Sequence, residues 1–80
     1  MKIRLSKTEK DYLKSNFSEF SKDIKHILNT SSLTINIEDV LADKIRDKAG
    51  EKLQLVGFDK DYNLTKEGEI LENLIDKLYH

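Results

Sequence analysis

Val56-Gly57-Phe58-Asp59-Lys60-Asp61-Tyr62-Asn63-Leu64-Thr65-Lys66-Glu67-Gly68-Glu69-Ile70-Leu71-Glu72-Asn73-Leu74-Ile75-Asp76-Lys77-Leu78 closes one helix, makes a polar turn and opens another. Ile70, Leu71, Leu74, Ile75 and Leu78 recur with helical spacing and give the last segment a broad apolar stripe. Thr65 precedes that segment with a hydroxyl suited to accept a hydrogen bond from a backbone N–H of the first turn. Gly57 followed by Phe58 has the form of a Schellman ending, in which the glycine is left-handed and Phe58 packs back on the last turn. This much makes the fold a helical one.

Working back toward the N-terminus, Ile37, Leu41, Ile45, Ala49, Leu53 and Val56 supply the buried stripe of the preceding helix, which Asn36, with Asp39 three residues on, can start. Gly50 sits inside it and costs up to about 1 kcal/mol relative to alanine, so it either ends the helix early or permits close packing. Leu33-Thr34-Ile35-Asn36-Ile37 alternates apolar and polar, as do Ile3 and Leu5, and these two short segments can pair as strands. Asn29-Thr30-Ser31-Ser32 reads as a loop. Ser6-Lys7-Thr8-Glu9 has the capping-box form. Behind it Leu13, Phe17, Phe20, Ile24 and Ile27 keep to one helical face, while Ser15, Asn16, Ser18 and Ser21 are weak helix formers. The segment is therefore either one bent helix or two short ones with Ser21 capping the second. The expected fold is mainly α: one domain over residues 1–80, a compact bundle of three or four helices, to which a minor two-stranded β element can be added.

Composition narrows the function classes. The chain has 80 residues and no cysteine, so neither disulfides nor thiolate metal sites support its small core. Charged residues make up 36 % and hydrophobic ones 38 %, with a net charge of -1, a globular balance rather than a disordered one. No apolar run approaches the roughly 18 residues of a membrane span, and residues 1–7 have no apolar core like that of a signal peptide. Cytoplasmic residence is the default expectation. Residues 1–30 carry seven Lys and Arg against four Asp and Glu, and residues 31–80 seven against eleven, so the halves stand at +3 and −4. That is not the concentrated basic face of a nucleic-acid binder.

Candidate chemistry is sparse. Asp59, Asp61 and Asn63 match the first three ligand positions of a calcium loop, but Leu64 stands where the sharp turn needs glycine and Ile70 where the bidentate glutamate belongs. A polar turn whose Asp and Asn side chains bond nearby amides is the better reading. His26 and His80 have no motif that would pair either with a nucleophile or a carboxylate. Asp39, Asp43, Asp47 and Glu51 recur at every fourth residue and form one acidic ridge on a helix, beside a row of Lys44, Lys48 and Lys52. Pairs such as Lys44–Asp47 and Lys48–Glu51 would make this a solvated, salt-bridged face. As a docking ridge, the same four carboxylates would bind a basic protein. No catalytic residue, metal ligand or cofactor is expected.

Two resemblances bear on function. Tyr62-x-Leu64-Thr65-x-x-Gly68-x-x-Leu71 resembles the entry from the last wing strand into the C-terminal helix of winged-helix proteins, which implies that Lys52–Phe58 is the other wing strand and the preceding helix a recognition helix. Asp39, Asp43, Asp47 and Glu51 on that helix would repel phosphates. Gly57-Phe58-Asp59-x-x-Tyr62-x-x-Thr65-x-x-Gly68 with Ile75-Asp76-Lys77-Leu78 is similar to the tail of small uncharacterised proteins of low-GC Gram-positive bacteria and their mobile elements. That resemblance implies a family of unknown biochemistry, with no functional residues to carry over, whose members can lie among mobile-element and toxin–immunity genes. It inclines the reading toward a non-catalytic inhibitor of the immunity, antitoxin or phage-encoded kind, acting by stoichiometric binding of another protein. A winged-helix or helix-turn-helix DNA-binding regulator is the alternative. Oligomeric state stays open.

Overall fold

A computed structural model of the chain describes residues 1–17, 20–28 and 32–79, with the backbone alone of Ser21 and Asp23. The elements run β1 (Lys2–Arg4), α1 (Lys7–Asn16), α2 (Ser21–Leu28), β2 (Thr34–Asn36), α3 (Asp39–Val56) and α4 (Lys66–Leu78). Among the described residues the fold is mainly helical, with four helices and a small two-stranded antiparallel sheet.

The sheet follows from the alternation at both segments. Ile3 pairs with Ile35, Lys2 with Asn36 and Arg4 with Thr34. The two isoleucines face the core while their neighbours face outward. Leu5 N–H donates to Leu33 O at 2.8 Å and Ile37 N–H to Met1 O at 2.8 Å, so the pairing extends past both strands.

The helices are bounded as their caps dictate. Ser6 Oγ accepts from Glu9 N–H at 3.1 Å and Ser6 N–H donates to the Glu9 carboxylate at 2.7 Å, a complete capping box. Helix α1 ends at Asn16, within the run of weak helix formers, and α2 is a separate helix. Ser21 begins α2, but its expected cap bond rests on a side chain outside the described residues, as do Ser18, His80 and the expected loop apart from Ser32. Asn36 does not start the third helix. It belongs to β2, because pairing with Lys2 and the burial of Ile35 and Ile37 keep the backbone extended. Helix α3 begins at Asp39, and its cap residue Glu38 makes no side-chain cap bond.

The core joins Ile3 and Leu5 of the N-terminal strand region, Leu13 and Phe17 from α1, Ile24 and Leu28 from α2, and Ile35 and Ile37 around β2. Ala42, Ile45 and Ala49 from α3 and Leu71, Leu74 and Leu78 from α4 complete it. The α3–α4 pair packs most extensively, and the small Ala42 and Ala49 suit a close approach of the two backbones. Val56 departs from its expected place in the α3 stripe: it is exposed, because α3 runs on past the packed part of the core. Gly50 neither ends α3 nor packs closely; a β-carbon there would meet nothing within 4 Å.

Candidate functional site

Between α3 and α4 the chain makes a tightly bonded turn. Gly57 is not left-handed. Its φ is −77° and ψ −16°, and its N–H donates to Leu53 O at 2.9 Å, so it caps α3 with right-handed backbone. Phe58 accordingly does not fold back on the last turn but stands half exposed. Glycine is required for space instead. A β-carbon on Gly57 would collide with the carbonyl oxygen and a methyl group of Leu53.

The Asp59 carboxylate takes hydrogen bonds from Asp61 N–H at 2.8 Å and Asn63 N–H at 3.0 Å, and Asp59 N–H donates to Asn63 O at 2.9 Å. The calcium-like spacing is thus used to close the turn on itself. Among the described residues no group of three or more His, Cys, Asp or Glu side chains is placed to hold a metal ion. Phe58 and Leu64 then face each other across a single antiparallel bridge. The wing strand implied for Lys52–Phe58 does not form: Lys52–Val56 belong to α3, whose hydrogen bonding continues to Gly57. Thr65 fixes the exit, its hydroxyl accepting from Gly68 N–H at 2.9 Å and donating to Val56 O at 3.0 Å.

The turn presents an apolar surface. Leu55, Val56, Phe58, Tyr62 and Leu64 are all exposed, Leu55 by 80 % and Tyr62 by 88 %. Tyr62 alone among the described non-glycine residues has a positive φ, 63°. A bulky side chain in that region of backbone space is uncommon, and the conformation costs about 1–2 kcal/mol. Tyr62 offsets none of this by burial.

The acidic ridge leads into this surface. Asp39, Asp47 and Glu51 are exposed on α3 and Asp43 is partly so; the same four-residue step reaches Leu55. Asp43 pairs with Arg46 at 3.2 Å and Glu51 with Lys48 at 3.4 Å, while Asp39 lies 3.9 Å from the Met1 amino group. Of the two anticipated pairs Lys48–Glu51 forms, whereas among the described residues Lys44 makes no ion pair with Asp47, and Arg46 pairs with Asp43 instead. Exposed pairs of this kind are weak.

Two other polar contacts tie α4 to α1. Lys77 Nζ donates to Glu9, which is buried. Burial alone would raise the Glu9 carboxyl, but the Lys77 hydrogen bond and charge, with the Ser6 N–H and hydroxyl, hold it below its ordinary value. Tyr12 OH donates to Glu67, and burial, reinforced by that carboxylate, pushes the phenol up. Both contacts belong to the scaffold.

The turn's apolar exposure escaped sequence reading. The available signal was Tyr62 itself, an aromatic residue flanked by Asp61 and Asn63, together with Leu55 at the next step of the ridge. No protein-family model, curated protein or solved structure matches the chain. Among the described residues no helix is long and apolar enough to cross a membrane.

Proposed function

We propose that this chain is a non-catalytic protein-binding module whose partner docks on the α3–α4 turn and the acidic ridge beside it. The observation that carries the proposal is Tyr62, held at positive φ and 88 % exposed. Such strain persists where the surrounding structure enforces it, and it clusters at functional positions. Tyrosine is also among the residues that dominate interface energies. Leu55, Val56, Phe58 and Leu64 supply an apolar surround, and Asp39, Asp43, Asp47 and Glu51 steer a basic partner toward it. Stoichiometric inhibition, of the immunity, antitoxin or phage-inhibitor kind, is the biological role this binding would serve.

The test uses the immobilised full chain beside two variants, Tyr62→Asn and the double reversal Asp43→Lys, Asp47→Lys. The expected result is one protein retained in equimolar amount by the wild type, lost by Tyr62→Asn, and associating more slowly with the double reversal or in added salt. Retention of a sequence-specific duplex DNA at physiological salt, or equal capture by all three chains, would reject the reading.

A further inference from the structure

A concave surface lies away from the turn. It is a cleft of about 570 Å³ formed by Lys22, His26 and Ile27 of α2, by Asn36, Ile37 and Glu38 around the end of β2, and by the first turns of α3 with Met1. Its apolar lining is Ile27, Ile37 and Leu41, with Val40, 64 % exposed, also contributing. Val40 has no place in the core and is open to cover by a partner.

The cleft's charge says what that is. Lys22 on α2 and Lys44 on α3 bring cations from two elements, and among the described residues neither is paired with a carboxylate. The third cation, the Met1 amino group, is already bonded to Ile37 O at 2.7 Å and lies near Asp39. Among the described residues Glu38 is the one carboxylate of the lining; Asp43 and Asp47 do not line it. An apolar strip flanked by two lysines that pair with no carboxylate among the described residues is complementary to a hydrocarbon group that carries negative charge on its flanks. The cleft is open and its lysines are exposed, whereas small-molecule sites enclose most of their ligand. Cations on separate elements match carboxylates spaced along a chain.

We infer that this cleft binds an acidic, amphipathic segment of a protein, whose leucine-like side chains cover Val40, Leu41 and Ile27 while its carboxylates meet Lys22 and Lys44. This goes beyond the turn and ridge, and opposite charge would let the two surfaces bind different segments.

The probe is a short synthetic peptide with one leucine face and one glutamate face, titrated into the isotope-labelled full chain and followed by amide chemical shifts. Saturable shifts are expected at Ile27, Ile37, Val40, Leu41 and Lys44. Lys22→Glu with Lys44→Glu, both exposed positions, should weaken binding at least about tenfold while leaving the spectrum folded. Tyr62→Asn should bind the peptide as the wild type does, so this inference and the proposed function fail separately. The inference is overturned by equal binding of a lysine-faced peptide, by undiminished affinity of the double variant, by shifts confined to the α3–α4 turn, by the absence of binding, or by octanoate filling the cleft where the peptide does not.

Discussion

Gly68 in the first turn of α4 lies directly against the backbone carbonyl of Gly57 at the end of α3. A β-carbon on Gly68 would strike the Gly57 oxygen and crowd Leu64 Cδ1 at 2.8 Å. The Gly57 carbonyl also accepts Thr65 N–H at 2.8 Å, so it cannot move aside without losing that bond. The two glycines are thus the points at which the turn brings α3 and α4 into backbone contact.

Substitution at the three glycines should therefore diverge in sign. Gly68→Ala overpacks a fixed backbone contact and should destabilise by about 1–3 kcal/mol. Gly50→Ala enters open space inside a helix and should stabilise by about 0.5–1 kcal/mol. Gly57→Asn should be destabilising as well, since the backbone is not left-handed and asparagine gains nothing there. Urea unfolding of the three variants checks the order.

Glu9 should make the fold acid-sensitive. Its carboxyl titrates lower in the folded chain than in the unfolded one. The stabilisation is thus present above the ordinary carboxylate range and is lost as pH falls through that range to the folded value. Glu9→Gln keeps the shape, removes the charge that Lys77 and Ser6 meet, and should cost about 1–3 kcal/mol at neutral pH. Unfolding curves between neutral and acid pH should be flatter for the variant than for the wild type.

Tyr12 should act at the other end of the scale. Its phenol titrates higher when folded, so its contribution is full below the ordinary tyrosine value, near 10, and declines as pH rises beyond it. Tyr12→Phe removes the bond to Glu67 and should cost about 1 kcal/mol at neutral pH. The variant should also lose less stability than the wild type between neutral and strongly alkaline pH. Parallel alkaline profiles would show that Tyr12 plays no part.

Tyr62→Asn should raise stability by up to about 1 kcal/mol, because asparagine accepts positive φ more readily and no buried contact is removed. A thermal melt suffices to measure it. A gain in stability joined to a loss of partner capture is the pattern expected when strain is kept for binding.

The caps and stripes were legible because they depend only on near neighbours. Ser6 with Glu9, Thr65 with Gly68, and the run Leu71, Leu74 and Leu78 all act within about one or two helical turns. The acidic ridge was legible for the same reason, since it follows from helical period alone. Gly57 was misread because a glycine after a helix has two causes, handedness and close approach, and the second depends on Gly68, which the turn returns to it. Asn36 was misread because its local capping preference lost to strand pairing with a segment more than thirty residues earlier. Val56 and the turn's apolar face needed knowledge of where the core stops, which periodicity does not carry. Lys22 and Lys44, more than twenty residues apart in sequence, come to line one cleft only in the folded chain.

The bond from Lys77 to Glu9 joins residues 68 positions apart. Phe17 and Leu5, fully buried near the front of the chain, share their core with Leu71, Leu74 and Leu78 from the last helix. During synthesis the earlier segments therefore emerge with their apolar faces uncovered, and the core closes only once α4 has emerged as well. A chain stopped before Lys66 would be a chaperone client or a protease substrate rather than a smaller version of the fold.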